Sequence, residues 1–190
     1  MSSNGETSDL PAFVQWPSFP FEGDLRVKAY GPVDETEPPR AGESGGPVCL
    51  TCQASDDAFI WVDNHWRVSA AERCALPVQV VLTTREHLDQ DELDDTLAGE
   101  LGRMIVRLDR AIQVVPGIAR VHVARRGDGA SHFHMGFFGR AFGARKMLGW
   151  CLPMWSMILA PTVEDNWKAN LAIVAKALGQ GGGEVVLGTS

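Results

Sequence analysis

Two short runs of alternating side chains, joined through a glycine-rich turn, constrain the fold of this 190-residue chain more than any other feature. In the first, Ala119, Val121 and Val123 alternate with Arg120, His122 and Ala124; in the second, from Ser131 to Arg140, two histidines precede glycines and aromatic residues. Gly127-Asp128-Gly129 lies between them. Such runs read as strands, and so short a link makes them antiparallel neighbours in one sheet. The second run opens on His132-Phe133-His134. Strand side chains repeat every two residues, so both imidazoles are expected on one face, about 6 to 7 Å apart, sharing a pocket. A lone strand histidine is most often a hydrogen-bonded structural residue. Two on one face beside a glycine turn, among only five in the chain, weigh toward a site.

The remaining patterns supply a sheet and helices to cover it. Ala58 to Val62 and Trp66 to Val68, flanking Asp63-Asn64, read as a hairpin, and the β-branched run 77–84 as a more buried strand that His87 follows at once. Leu93, Leu97, Leu101, Met104, Leu108 and Ile112 recur at spacings of three and four and predict a long helix over 89–112, acidic at its start and basic at its end as the helix dipole favours. Trp167, Leu171, Val174 and Leu178 predict a second helix over 162–178, with Thr162 and Asp165 in a capping arrangement. Residues 141–150 read as a loop, and the Met and Trp residues between Met147 and Trp155 as packing. The tail beyond Gly183 reads as a short edge strand or an extension. The fold class is α+β, organised as an N-terminal extension and linker over 1–46, a compact domain over 47–140, and a C-terminal loop and helix over 141–190 that pack on it. Within the extension, residues 1–9 have almost nothing to bury, the aromatic residues Phe13 to Phe21 are stable only if docked on the main domain, and Leu25 to Lys28 alternate as a short strand would.

Composition narrows the partners. A formal net charge of −7 disfavours a non-specific nucleic-acid or anionic-membrane surface. The first residues lack the basic flank and apolar run of a signal peptide, and no apolar run approaches membrane length. Four cysteines are too few for a disulfide framework, so a reducing cytoplasm is the expected compartment.

Cys49-Leu50-Thr51-Cys52 is the second chemical signal. The spacing lets two thiolates reach one tetrahedral cation, and it suits a thiol redox pair or two incidental cysteines as well. A metal needs two more ligands, for which His87 and one histidine of the central strand are the natural candidates. Four protein ligands would leave no open coordination position, so such a metal would be structural.

The order of these pieces resembles the histidine triad superfamily, specifically its zinc-containing branch, which shares a site plan with galactose-1-phosphate uridylyltransferase. The resemblance covers about residues 47–138: a Cys-x-x-Cys, a hairpin, a strand leading to His87, a long helix, a strand, a Gly-rich turn and the His-x-His strand. It implies an antiparallel sheet of about five strands with one long helix and a C-terminal helix, frequently in a homodimer. It implies structural Zn²⁺ on Cys49, Cys52, His87 and His132, and a nucleophile at His134. The implied activity is that of a nucleotide hydrolase or nucleotidyltransferase acting at an α-phosphate of a nucleotide or nucleotide-sugar, through a covalent nucleotidyl-histidine. Backbone N–H groups around Gly127, Gly129 and Ser131 would cradle phosphate oxygens, Arg140, Arg145 or Lys146 would neutralise charge, and the nucleoside would lie against Phe59 or Ile60. The chain departs from His-x-His-x-His at the third position, which is Gly136. The alternative reading is therefore a zinc-stabilised nucleotide-binding protein with weak or lost catalysis.

Overall fold

The computed structural model describes residues 10–187; the reading of residues 1–9 falls outside them. Strands β1 (Trp61–Val62), β2 (Trp66–Ala70), β3 (Val78–Thr84), β4 (Ile118–Ala124), β5 (His134–Ala141) and β6 (Glu184–Val185) form one sheet in the order β4-β5-β3-β2-β1-β6. Every neighbouring pair is antiparallel. The expected sheet of about five strands thus has a sixth, β6, where the C-terminal tail returns to pair with β1. Helices α1 (Leu50–Gln53), α2 (Asp95–Gln113), α3 (Cys151–Ile158) and α4 (Glu164–Gly179) complete the fold. Among the described residues no helix is long and apolar enough to cross a membrane.

Alternation divides the sheet into two faces. Val78, Val80 and Leu82 of β3 meet Met104, Leu108 and Ile112 of α2 and Leu171, Val174 and Leu178 of α4, so the two apolar stripes visible in the sequence cover one face. Each such side chain, fully buried, contributes about 1.5–3 kcal/mol. The other face carries Phe138, which packs with Leu76, Met147 and Leu152 beneath α3. Residues at the His134 end of that face stay half-open.

Several expected elements change for local reasons. The long helix begins at Asp95, because Asp89 and Asp94 accept hydrogen bonds from the Gln90 and Leu97 amides and so start a 3₁₀ turn and then the helix. The C-terminal helix begins at Glu164; Thr162 is not its cap, since its hydroxyl donates to Leu76 O and its amide to Cys74 O. Residues 25–28 form no strand: no ladder partner lies beside them among the described residues, and Val27 is 56% exposed. Helix α3 was not foreseen, because its eight residues show no polar face, and Pro153 sits in its first turn, where a missing N–H costs nothing.

The β1–β2 turn is fastened to α2 by His65, whose Nδ1 lies 2.7 Å from Glu100 Oε2, and by Trp66 Nε1–H, which donates to the same oxygen at 3.1 Å. The hydrogen bond to Glu100 holds the His65 imidazolium above its ordinary pKa. A raised folded-state pKa stabilises the fold fully below the unfolded imidazole's pKa, and the contribution is lost as pH rises through the raised value. NMR titration is expected to show His65 above a free histidine, and back near it in Glu100→Gln.

Candidate active site

The four donors arrive from three directions. Cys49 precedes α1, a single turn that ends at Gln53, so Cys52 comes round to the same side. His87 follows the end of β3, and His132 immediately precedes β5. Their ligand atoms all lie within 4.8 Å of one another. His132 Nδ1 is 3.4 Å from both the Cys49 and Cys52 sulfurs, and His87 Nδ1 is 3.1 Å from Cys52 Sγ. A tetrahedron with ligands at about 2.0–2.3 Å places its donors about 3.3–3.8 Å apart, so the set suits such a cation with small adjustments.

The outer ring nitrogens orient both histidines. His132 Nε2 is 2.9 Å from the Thr84 carbonyl, which can only accept, so the proton is on Nε2 and the Nδ1 lone pair faces the sulfurs. Ser131 Oγ donates to Ala41 O at 3.2 Å and therefore accepts from His87 Nε2 at 3.1 Å, leaving His87 Nδ1 as a lone pair too. Burial pushes the His132 imidazole below its ordinary pKa, towards the neutral form that ligation requires.

Two features that the sequence did not signal brace this cluster. Arg67, between the apolar Trp66 and Val68 on β2, is 4% exposed. Its guanidinium donates to Thr51 O, Ala54 O and Arg85 O at 3.1–3.3 Å and stacks over Phe59, 4.5 Å from the ring centre. The second brace is a strap formed by residues 39–47. Ala41 pairs with Ala130, and Arg40 bonds Glu43, Asp89 and Gly127 O. Gly42, at φ +95°, passes so close to His87 Cε1 and Ser131 Oγ that a Cβ there would collide with both.

Beside the cluster, His134 opens β5 opposite Thr83 of β3. His132 itself precedes the strand, and Phe133 between the two histidines buries its ring in the core against Trp66. His134 Nδ1 lies 2.9 Å from the His132 carbonyl. That carbonyl can only accept, so Nδ1 carries the proton and Nε2 a free lone pair on a half-buried ring. One residue thus turns its ring to the sulfurs and its carbonyl to the neighbouring imidazole.

No protein-family model and no curated protein matches the sequence. Solved structures do. A hypothetical histidine triad nucleotide-binding protein from Sulfolobus tokodaii superposes with a TM-score of 0.51 at 12% identity, over 70% of this chain and 93% of that one. A Zn-bound histidine triad family protein from Mycobacterium smegmatis gives 0.50 at 15% identity, over 70% and 94%. A uridylyltransferase mutant gives 0.50 at 19% identity, over 70% of this chain and 47% of that enzyme. The chain has the histidine triad fold.

Within that histidine triad fold, the third motif position is filled from elsewhere. A Cβ on Gly136 would lie 2.9 Å from Phe138 Cζ, so the Phe138 ring occupies the space a side chain there would take. Other expected site residues are placed away from His134 or already engaged. Arg140 is six residues further along an extended strand, about 20 Å away. It is buried, and its guanidinium donates to Ala141 O and Ala144 O at 3.3 Å, so it is corrected from phosphate ligand to brace of the turn after β5. Arg145 and Lys146 are exposed beyond that same end. The Ser131 amide donates to Ala41 O at 3.0 Å and its hydroxyl serves His87, so Ser131 supports the cluster and offers no phosphate cradle. Gly127 and Gly129 take strap hydrogen bonds at their carbonyls, and their amides donate to no protein group among the described residues. Phe59 and Ile60 are 4% and 8% exposed, the former beneath Arg67, and neither offers a free face to a base.

Proposed function

We propose that this chain is a nucleotide hydrolase or nucleotidyltransferase in which His134 Nε2 attacks an α-phosphate. The N–P bond forms as the bond to the leaving oxygen breaks; water or a second phosphate then attacks the same phosphorus, and the electron pair returns to Nε2. The reading is carried by the hydrogen bond from His134 Nδ1–H to the His132 carbonyl, which holds the ring in the tautomer that exposes a nucleophilic nitrogen. The free amides of Gly127 and Gly129 are the candidate partners for phosphate oxygens. Cys49, Cys52, His87 and His132 would hold structural Zn²⁺, which ties the Cys-x-x-Cys turn to the sheet and supplies no open coordination position. The Zn-bound neighbour supports that assignment. The small-molecule partner is a nucleotide or nucleotide-sugar, and the cytoplasm is the compartment that suits four free thiols.

The test is covalent trapping with α-phosphate-labelled nucleoside di- and triphosphates and nucleotide-sugars. Wild type should retain acid-labile label after denaturation, and His134→Ala should lose it together with turnover, by about 10³-fold or more. No label and no turnover across the panel would sink the catalytic reading. The Phe138 ring over Gly136 favours a second reading, a zinc-stabilised binding protein without catalysis. Calorimetric binding of nucleoside monophosphates with no turnover would establish it.

A further inference from the structure

Segments 10–21 and 141–163 hold none of the chain's 24 acidic residues, and their only charges are Arg145 and Lys146. The two segments pack on each other. Phe13 meets Trp150 edge-on with ring centres 4.7 Å apart, Trp16 lies 6.1 Å from the same ring, and Trp155 Nε1–H donates to Ser18 O at 2.7 Å. The aromatic run of the N-terminal extension is thus docked on α3 and the turn before it. That turn, residues 142–150, is anchored by Met147, buried against Phe138, and coiled by hydrogen bonds from Met147 N–H to Ala144 O and from Cys151 N–H to Leu148 O. Its outward side is apolar and basic. Phe142 is 85% exposed, while Leu148, Trp150 and the docked Trp16 are each about half exposed. Arg145 and Lys146 are exposed as well, and neither pairs with a carboxylate among the described residues. Every Trp, Phe, Met and Ile among the exposed large apolar side chains of the described residues lies in these two segments.

Aromatic rings held open to water at one end of a molecule mark a surface that something else covers. We propose that this end docks on an anionic lipid surface, with Phe142, Leu148 and Trp150 in the headgroup layer and Arg145 and Lys146 on lipid phosphates. A bilayer interface meets both needs of the turn within a depth of about 5–10 Å: it takes up aromatic and aliphatic side chains, and it presents negative charge to a guanidinium and an ammonium. The net charge of −7 weighs against adsorption through the rest of the surface. It therefore orients the protein, since the acidic regions are repelled and only the acid-free end is admitted. His134 begins β5 and the turn follows the far end of that strand, about 20 Å away. Docking thus leaves the histidine end of the sheet toward water. The inference holds whatever reaction His134 performs.

The experiment sediments the full chain with vesicles of phosphatidylcholine alone or of phosphatidylcholine mixed with phosphatidylglycerol. Binding should require phosphatidylglycerol and weaken as salt is raised. Replacing both bases, Arg145→Gln with Lys146→Gln, should lower the partition coefficient about tenfold or more. Phe142→Ala should lower it by a similar factor of about ten, the transfer of one aromatic side chain. So exposed a ring adds little to the fold, so the Tm of that variant should match wild type. Equal binding to both vesicle types, or binding that these substitutions leave unchanged, overturns the proposal. Absence of binding overturns it too; light scattering that then shows a concentration-dependent dimer, lost in Phe142→Ala, would assign this end to a second copy of the chain.

Discussion

Stripping the metal with a chelator, or replacing Cys49 by Ser, is expected to lower stability by about 3–5 kcal/mol, roughly 10 °C in Tm for a chain of this size. The value falls below that of a zinc-finger peptide, which has nothing else to fold around. Here the main core is built from the sheet, α2 and α4, and no cysteine belongs to it. Loss of a bound ion would instead release α1 and the strap, and would leave the Nδ1 lone pair of His132, 1% exposed, with only weak S–H hydrogen bonds from Cys49 and Cys52. Scanning calorimetry of chelated wild type, Cys49→Ser and His132→Asn, each with metal content measured, should give three similar shifts. A metal-free wild type that melts as before would show that the cluster binds no structural ion.

Phe133→Ala is expected to cost about 3–5 kcal/mol, the largest loss from any one side chain near the site. The ring is 0% exposed and meets Trp66 edge-on at 5.8 Å, a contact worth about 0.5–1.5 kcal/mol beyond its area. Its amide donates to Leu88 O at 2.6 Å, so this residue fixes the backbone between the two histidines. Denaturant titration measures the loss. His134→Ala, which removes a half-buried ring with one backbone hydrogen bond, should stay within about 1 kcal/mol of wild type. If the two variants proved equally unstable, the division between a packed core ring at Phe133 and a half-open imidazole at His134 would be wrong.

Much of this arrangement is legible in the sequence because it rests on periodicity. The stripe from Leu93 to Ile112 determines which face of α2 meets the sheet, and the alternation through Ala119 to Val123 determines the edge strand beside β5. For the cluster, the Cys-x-x-Cys spacing and the placement of His87 after a strand pointed to a shared site, while the choice of His132 over His134 came from the family resemblance; the four donors do lie together. Side chains whose roles depend on what lies above them were not legible. Arg67 and Arg140 occupy outward positions by alternation, and only the packing of the α1 region and of the turn after β5 encloses them. The strap is a Pro- and Gly-rich connector by composition, and its pairing with Ala130 is a contact between residues too distant in sequence to leave a local pattern. Helix α3 lacks a polar face, so no period marks it.

The strap also bears on the order of events during folding. It joins Arg40 to Gly127, 87 residues apart, and its closure depends on a sheet that already exists. Because Gly42 and Ala41 hold His87 and Ser131 in place, the donor set is completed only after distant parts of the sequence have met. Uptake of an ion by these donors would then be a late event in maturation, and a chain that carried one would be a chain whose assembly had finished.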